Sequence, residues 1–506
     1  MSDAPLDLRN DGLAEADLDD GPVAGRVGDD DVVLARAADG AIHAVAAACT
    51  HYGGPLADGV AEEGRLHCPW HHAIFDIATG EAVGGPALDA LTAYAVEVRD
   101  GRIHVTGPLD TEQDRRVTAV PARVVIVGSG SAGTAAAIEL RRLGHGGPIT
   151  LIGAEPPVDR PNLSKDYLAG DIPEDWLPLR PETFWEEQDI DLVTDTEVTS
   201  VDRSERTVTL ADGTVVGYDA LLIATGAEPR RLPIPGADGD HVHRLRTRAD
   251  ADAIIADAQD AEQAVVVGAG FIGLEVAASL GKRDLEVTVV DPVDVPLAAA
   301  LGEELGTFVR GLHEEHGTTF RLGTTADAIE DGGVRLADGS RLAADLVVVG
   351  VGVTPRTELA EAAGLPVDDG ILVDGSMRTD DPRVWAAGDV ARYPDGVGGS
   401  ARVEHWVAAQ RQAEVAARAM LGKPTGPMVP FFWSAHHDAI IAVVGHTSGA
   451  DSVTMNGDPA DRDVTVVYRR DGEIRGVATI FRDEVSIRAE LALGRADQAT
   501  LEKLVG

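Results

Sequence analysis

Val124-Val125-Ile126-Val127-Gly128-Ser129-Gly130-Ser131-Ala132-Gly133 runs four β-branched residues straight into a Gly-x-Gly-x-x-Gly turn, with an alanine-rich stretch behind it. The apolar run reads as a strand buried on both faces and the stretch behind it as a helix. The glycines permit a tight turn and let backbone approach a pyrophosphate, which then sits at the helix N-terminus. The next apolar run, 149–152, ends near Glu155, an acid placed to accept hydrogen bonds from ribose hydroxyls. The same unit recurs as 265–267, Gly268-Ala269-Gly270-Phe271-Ile272-Gly273, and 287–290 ending at Asp291. One Gly-x-Gly-x-x-Gly is often only a packed turn. Two copies, each with strand, helix and acid in order, predict two dinucleotide sites on doubly wound α/β domains.

Upstream lie two short arms, Cys49-Thr50-His51 and Cys68-Pro69-Trp70-His71, which hold the only two cysteines of the 506-residue chain. Each arm carries one thiol and one imidazole, the donor set of a Rieske [2Fe-2S] centre, where two thiolates hold one iron and two neutral imidazoles the other. Small core cysteines, a disulfide and a Cys2His2 zinc site are the alternatives. Zinc fingers, however, usually pair like donors on one arm. Gly53, Gly54, Pro55 and Pro69 supply turns that let backbone wrap a cluster. The arms resemble the Rieske family, whose loops sit on a small all-β domain. Neither arm has the extra cysteine of the cytochrome bc type, so the resemblance is to the lower-potential ferredoxin and ring-hydroxylase type. His72 is out of register with the ligands and is expected to back them or to face solvent.

Acidic residues number 85 against 43 basic ones, giving a formal charge of −42. Four of the basic residues are lysine. Such a balance argues against nucleic acid or an anionic membrane as partner. It resembles adaptation to a cytoplasm of very high salt, where screening shortens to about 3 Å at molar ionic strength. The acidic N-terminus, 1–12, lacks the basic-then-apolar pattern of a signal peptide, and thiols that bind iron need a reducing compartment, so a cytoplasmic location is expected. The longest apolar stretch, 264–281, contains Glu275 and four glycines, and no membrane span is expected.

The expected organisation is multidomain: an N-terminal all-β Rieske domain (1–106), a polar linker (107–121), two α/β dinucleotide-binding, Rossmann-like domains, and a small C-terminal α+β domain (429–506). The first dinucleotide domain is split into 122–240 and 356–428, and the second spans 241–355. Short β-type runs at 32–35, 42–45 and 103–105 mark the first domain. Alternating strands at 439–444, 464–468 and 474–480 mark the last.

From Arg123 onward the chain resembles the two-dinucleotide flavoproteins of the ferredoxin-reductase type, the putidaredoxin-reductase and apoptosis-inducing-factor-like proteins. The stretches that carry this are Arg160-Pro161-Asn162-Leu163-Ser164-Lys165, Ala224-Thr225-Gly226 and Ala387-Gly388-Asp389. The resemblance implies FAD at the first site, contacted by Gly128, Gly130, Gly133, Glu155, Arg160 and Lys165, with Asp389 on the ribityl chain. Val198 by backbone and Arg246 by side chain are further FAD contacts it implies. Surface charge is the plain alternative for Arg160, Arg246 and Asp389. The stretch between Glu155 and Arg160 is shorter than the family's.

The second site, Gly268, Gly270, Gly273 and Asp291, is expected to hold a nicotinamide nucleotide. No lysine or arginine occurs from 284 to 308, while Asp291 and Asp294 put negative charge where a 2′-phosphate needs positive, so NADH is expected over NADPH. Glu275 resembles the family glutamate near the nicotinamide, with a helix-dipole partner as the alternative. Trp406 resembles the aromatic residue near nicotinamide and flavin, with a core position as the alternative. Lys165 and Glu275 are the two candidate catalytic residues. Phe431-Phe432-Trp433 opens the C-terminal domain, which in the family covers the flavin and often forms a dimer. That makes a homodimer one expected assembly, although the three aromatics could equally be that domain's own core.

These features predict an NADH-dependent oxidoreductase passing electrons from NADH to FAD to [2Fe-2S], leaving by His51 and His71 as exposed ligands, to an acceptor no motif identifies. A hydroxylase, a P450 or a small redox protein would each serve. Disulfide reductase chemistry lacks a free cysteine pair, a sirohaem nitrite reductase lacks its cysteines, and no mononuclear-iron domain follows the Rieske motif. The alternative is an apoptosis-inducing-factor-like sensor that holds NADH with little turnover.

Overall fold

The computed structural model describes residues 6–18, 21–109, 120–395 and 399–506. The N-terminal domain is all β. A six-stranded antiparallel sheet is ordered Leu13–Ala14, Arg102–Pro108, Ala93–Arg99, Ile42–Ala46, Asp30–Arg36, Val23–Val27. A second, four-stranded sheet runs Val60–Glu62, Arg65–His67, Ile74–Asp76, Ala82–Gly84. Cys49 follows strand Ile42–Ala46 of the first sheet and Cys68 follows Arg65–His67 of the second, so the two arms meet where the sheets face each other. Val33, Val45, Leu56, Leu66 and Phe75 pack with both cysteines in one core. Strand Arg102–Pro108 runs into the segment expected as a linker, of which residues 110–119 lie outside the described part.

Strand Val124–Val127 is buried throughout and lies between Ile149–Ile152 and Ala220–Ile223 in a parallel sheet, as an all-apolar tetrad requires. Val384–Ala386 pairs in parallel with Ala220–Ile223, so the chain leaves this domain after one part and re-enters it with its last strand. Between the parts, Gln263–Val267 and Glu286–Asp291 occupy a second parallel sheet with Leu346–Val349 and Thr319–Leu322. The C-terminal domain is a five-stranded antiparallel sheet ordered Phe431–His436, Ala439–Gly445, Glu473–Ile480, Asp463–Arg470, Ser452–Asp458. Strand alternation divides its core. Ile441 and Val443 join a cluster shared with the nicotinamide-type domain, while Ala442 and Val444 pack with Ala489 and Leu501 of the terminal helices.

A histidine cluster with His313 and His436 buried lies where the C-terminal sheet meets helix Glu303–Glu315. His313 Nε2 and His436 Nδ1 are 3.1 Å apart, and the ring of His437 stacks on His316 at 3.9 Å. Burial and mutual repulsion push His313 down to about 2, and burial pushes His436 and His437 down to about 4. Lys282 and Asp438 face His437, and Glu275 and Lys165 face His436. A histidine whose folded pKa is depressed takes up protons first in the unfolded state. Its contribution is therefore intact above the unfolded value near 6.5 and is lost as pH falls from there toward 4. Thermal unfolding is expected to drop in that window, and to drop less steeply in His436→Phe. Parallel pH profiles for the two proteins would rule the cluster out as the cause.

Candidate redox site

Both glycine turns are shaped by close approach. Gly128 has φ +111°, and a Cβ on Gly133 would lie 1.8 Å from the Gly128 carbonyl oxygen. Gly268 and Gly273 repeat this, with φ +116° and 2.1 Å. Helices Ser131–Arg142 and Phe271–Lys282 start from these turns and aim their N-termini at one cavity of about 1820 Å³. Lys165, Val198, Glu275, Asp389 and Trp406 lie on its wall with Gly128, Gly130 and Gly270. Gly133, Gly268 and Asp291 do not line it; they form the turns behind.

Arg160 lies over the first turn, its Nη1 3.5 Å from where a Cβ on Gly130 would be. Its guanidinium binds Glu155, with Nε donating at 3.1 Å. Arg246 Nη2 donates to Asp389 Oδ2 at 2.9 Å and sits 3.0 Å from the Cβ position of Gly226. Burial and the neighbouring Arg246 both act against charge on Arg160. A site with two crowded guanidiniums at a helix N-terminus fits a pyrophosphate. Glu155, the expected ribose acceptor, spends its carboxylate on Arg160, and Ser129 Oγ donates to its backbone carbonyl at 2.6 Å. In the second unit Asp291 accepts from the Ala269 N–H at 2.7 Å and the Val293 N–H at 3.0 Å, so it orients the glycine turn itself.

Lys165 and Glu275 come together in the centre. Lys165 Nζ and Ser164 Oγ each donate to Glu275 Oε2 at 2.7 Å, and Ser434 Oγ donates to Oε1 at 2.7 Å. Glu275 is 3% exposed. Burial by itself would raise its pKa, but the Lys165 ammonium and the three hydrogen bonds outweigh it and hold Glu275 below the usual carboxylate range. Trp406 is the first residue of helix Trp406–Met420, anchored where Ser131 Oγ donates to its carbonyl at 2.9 Å.

The cluster arms form two donor pairs. The Cys68 thiol hydrogen-bonds Cys49, which lowers the Cys49 pKa and raises that of Cys68. His51 Nδ1 and His71 Nδ1 lie 3.2 Å apart, the separation two imidazoles need to bind one metal at about 2 Å. Burial keeps both imidazoles neutral, His51 pushed down to about 4 and His71 well below its ordinary value. A thiol pair beside an imidazole pair fits a [2Fe-2S] cluster.

The arms face the C-terminal sheet. His71 is only 9% exposed and its ring centroid is 4.2 Å from that of Trp433; His51 is 6.2 Å from the same ring. Trp433 also lines the cavity. The expectation that His51 and His71 are exposed ligands through which electrons leave is therefore corrected: Trp433 of the C-terminal domain covers His71, and His51 is half-buried beside it. His72 does not face solvent either. It stacks on Phe431 at 3.9 Å and binds Glu490, which Arg411 also holds. The docking is polar elsewhere: Tyr52 donates to Asp159, the Gly85 N–H to Glu414 at 2.9 Å, and Arg495 to Glu62 at 2.5 Å. Of the three residues in Phe431-Phe432-Trp433, only Phe431 is fully buried. The bridging position of Trp433 has no local signal in the sequence, nor has the role of Ser434 or Glu490.

Three families match the chain in order: the Rieske [2Fe-2S] domain over residues 11–95, pyridine nucleotide-disulphide oxidoreductase over 122–413, and reductase C-terminal over 431–505. Rhodocoxin reductase of Rhodococcus erythropolis is 43% identical over 343 residues, 66% of this chain and 80% of the relative. Apoptosis-inducing factor 3 of Homo sapiens is 33% identical over 485 residues, 90% of this chain and 80% of the relative. Among solved structures, a chain of the covalent putidaredoxin reductase–putidaredoxin complex superposes with a TM-score of 0.70 at 35% identity, covering 76% of this chain and 94% of that one.

Proposed function

Because the chain belongs to the pyridine nucleotide-disulphide oxidoreductase family, we propose that it carries electrons from NADH through FAD and its own Rieske [2Fe-2S] cluster to an external acceptor. It is an NAD(P)H oxidoreductase of the ferredoxin-reductase type, with FAD, NAD(P)H and [2Fe-2S] as its cofactors. One observation carries the reading: Trp433 touches the imidazole pair on one side and lines the nucleotide cavity on the other.

Bound at this site, FAD would supply hydride acceptance from NADH and single-electron release, the chemistry a one-electron cluster needs. Arg160 and Arg246 would hold the FAD pyrophosphate at the N-terminus of helix Ser131–Arg142, with Gly128, Gly130 and Val198 at the wall and Asp389 near the sugar chain. Lys165 and Glu275 form a net-neutral ion pair on the cavity wall, and Glu275 stays a carboxylate because Lys165, Ser164 and Ser434 hold it so. Cys49, Cys68, His51 and His71 would bind the irons. The absence of lysine and arginine from residues 284–308, with Asp291 and Asp294 among them, favours NADH over NADPH. A formal charge of −42 supports a high-salt cytoplasm, and among the described residues no helix is long and apolar enough to cross a membrane.

An anaerobic NADH titration in high salt, following flavin absorbance and cluster electron paramagnetic resonance together, tests the proposal. Reduction of a Rieske signal within the time of flavin turnover is expected. A stable NADH–flavin complex beside an oxidised cluster would support the sensor instead.

A further inference from the structure

With His71 buried and His51 half-buried against the C-terminal sheet, the edge the cluster arms leave to solvent lies beside the imidazoles. The exposed residues beside the ligands are uncharged and aromatic: Tyr52 is 42% and Trp70 44% exposed. Their rings flank His71 at centroid distances of 5.7 and 6.4 Å, and the ring of Tyr52 also lies 3.9 Å from His51. Trp70 packs over Gly54, where a Cβ would meet its ring at 3.3 Å and the Cys68 sulfur at 2.8 Å. This aromatic edge therefore touches both the thiolate and the imidazole arms. Its rim is acidic. Asp166 acts on Tyr52, Asp89 accepts from Thr50 through its backbone carbonyl, and both aspartates are exposed. The cation near Asp89, Arg180, is bound to it at 2.7 Å and is itself nearly covered.

From this geometry we propose that the Tyr52–Trp70 edge is the docking surface for the electron acceptor, a soluble one-electron redox protein that presents a basic rim around an apolar centre. An aromatic anchor inside a charged rim is the arrangement of a protein interface with few dominant residues. On a chain of −42 the complementary partner is basic. The inference rests on the electron-transfer reading and adds the exit. The balance is NADH + 2 acceptor(oxidised) → NAD⁺ + H⁺ + 2 acceptor(reduced), each acceptor taking one electron from the cluster and the proton passing to solvent.

The test uses the holoenzyme and basic cytochrome c as probe. Binding is read without turnover, from fluorescence of the zinc-substituted form, and electron delivery from the iron form. Trp70→Ala is expected to weaken binding at least 10-fold, and Trp70→Phe to restore most of it. Asp89→Asn with Asp166→Asn is expected to weaken binding and flatten its salt dependence, while cluster reduction by NADH stays at the parent rate in every variant. Unchanged affinity in both Trp70→Ala and the double aspartate variant would overturn the docking surface. A cluster that NADH does not reduce even in the parent protein would instead overturn the electron-transfer reading.

Discussion

Trp433→Ala is expected to slow NADH-dependent reduction of the cluster by about 100-fold, while NADH reduces the flavin at a rate near the parent's. The indole is what stands between the cavity and the imidazoles, 4.2 Å from His71 by centroid. Removing it leaves a gap that relaxation closes only in part. Misplacement of reacting groups by ~1 Å already costs about 10²-fold in rate. The ligand arms keep Tyr52–Asp159, His72–Glu490 and Gly85–Glu414 as separate anchors, so the cluster should assemble with an unchanged resonance spectrum. Trp433→Phe, which keeps an aromatic ring, should recover most of the rate. The check is stopped-flow absorbance of the flavin beside freeze-quenched resonance of the cluster. Equal slowing of both would show that Trp433 shapes the nucleotide site and does not link the two centres.

Lys165→Met carries the second large effect. Glu275 loses the one cation that opposes its burial, so the raising effect of desolvation is left against hydroxyl donors alone. Removing one partner of a buried ion pair costs about 3–5 kcal/mol. Lys165 and Glu275 are 18% and 3% exposed in their side chains, so solvent screens the pair little. Flavin release on heating should move down by roughly 6–12 °C for a loss of about 3 kcal/mol in a domain of this size. The double variant Lys165→Met/Glu275→Gln removes the stranded charge and should regain much of that stability. Thermal melts of the three proteins decide it. A double variant no more stable than Lys165→Met would mean that lysine packing, and not the buried charge, sets the cost.

Much of the architecture is legible in the sequence because its determinants are local. Four β-branched residues, three glycines and an acid within about thirty positions specify strand, turn and helix before any distant contact forms. The two Cys/His arms carry their donor types in fixed short spacings, so the cluster class follows from them together with the absence of other cysteines. Lys165 and Glu275 could be singled out separately, but they are 110 residues apart, and only packing helix Phe271–Lys282 against the Arg160–Ser164 turn makes them one ion pair. Asp291 shows the opposite case: its place after a strand points to ribose, yet one oxygen accepts from Ala269 of the glycine turn and the other from Val293 of its own.

The sequence by itself therefore determined the order of domains and the chemistry they hold, since a ligand arm or a glycine turn is a property of neighbouring residues. Only the tertiary structure decided which way the cluster faces. That orientation depends on His71 meeting Trp433, His72 meeting Glu490 and Tyr52 meeting Asp159, contacts that span from 107 to 418 positions and leave no periodicity behind. Because those contacts set the imidazole pair against the C-terminal sheet, ligands that look exposed along the chain face that sheet, and the aromatic edge at Tyr52 and Trp70 is left facing solvent.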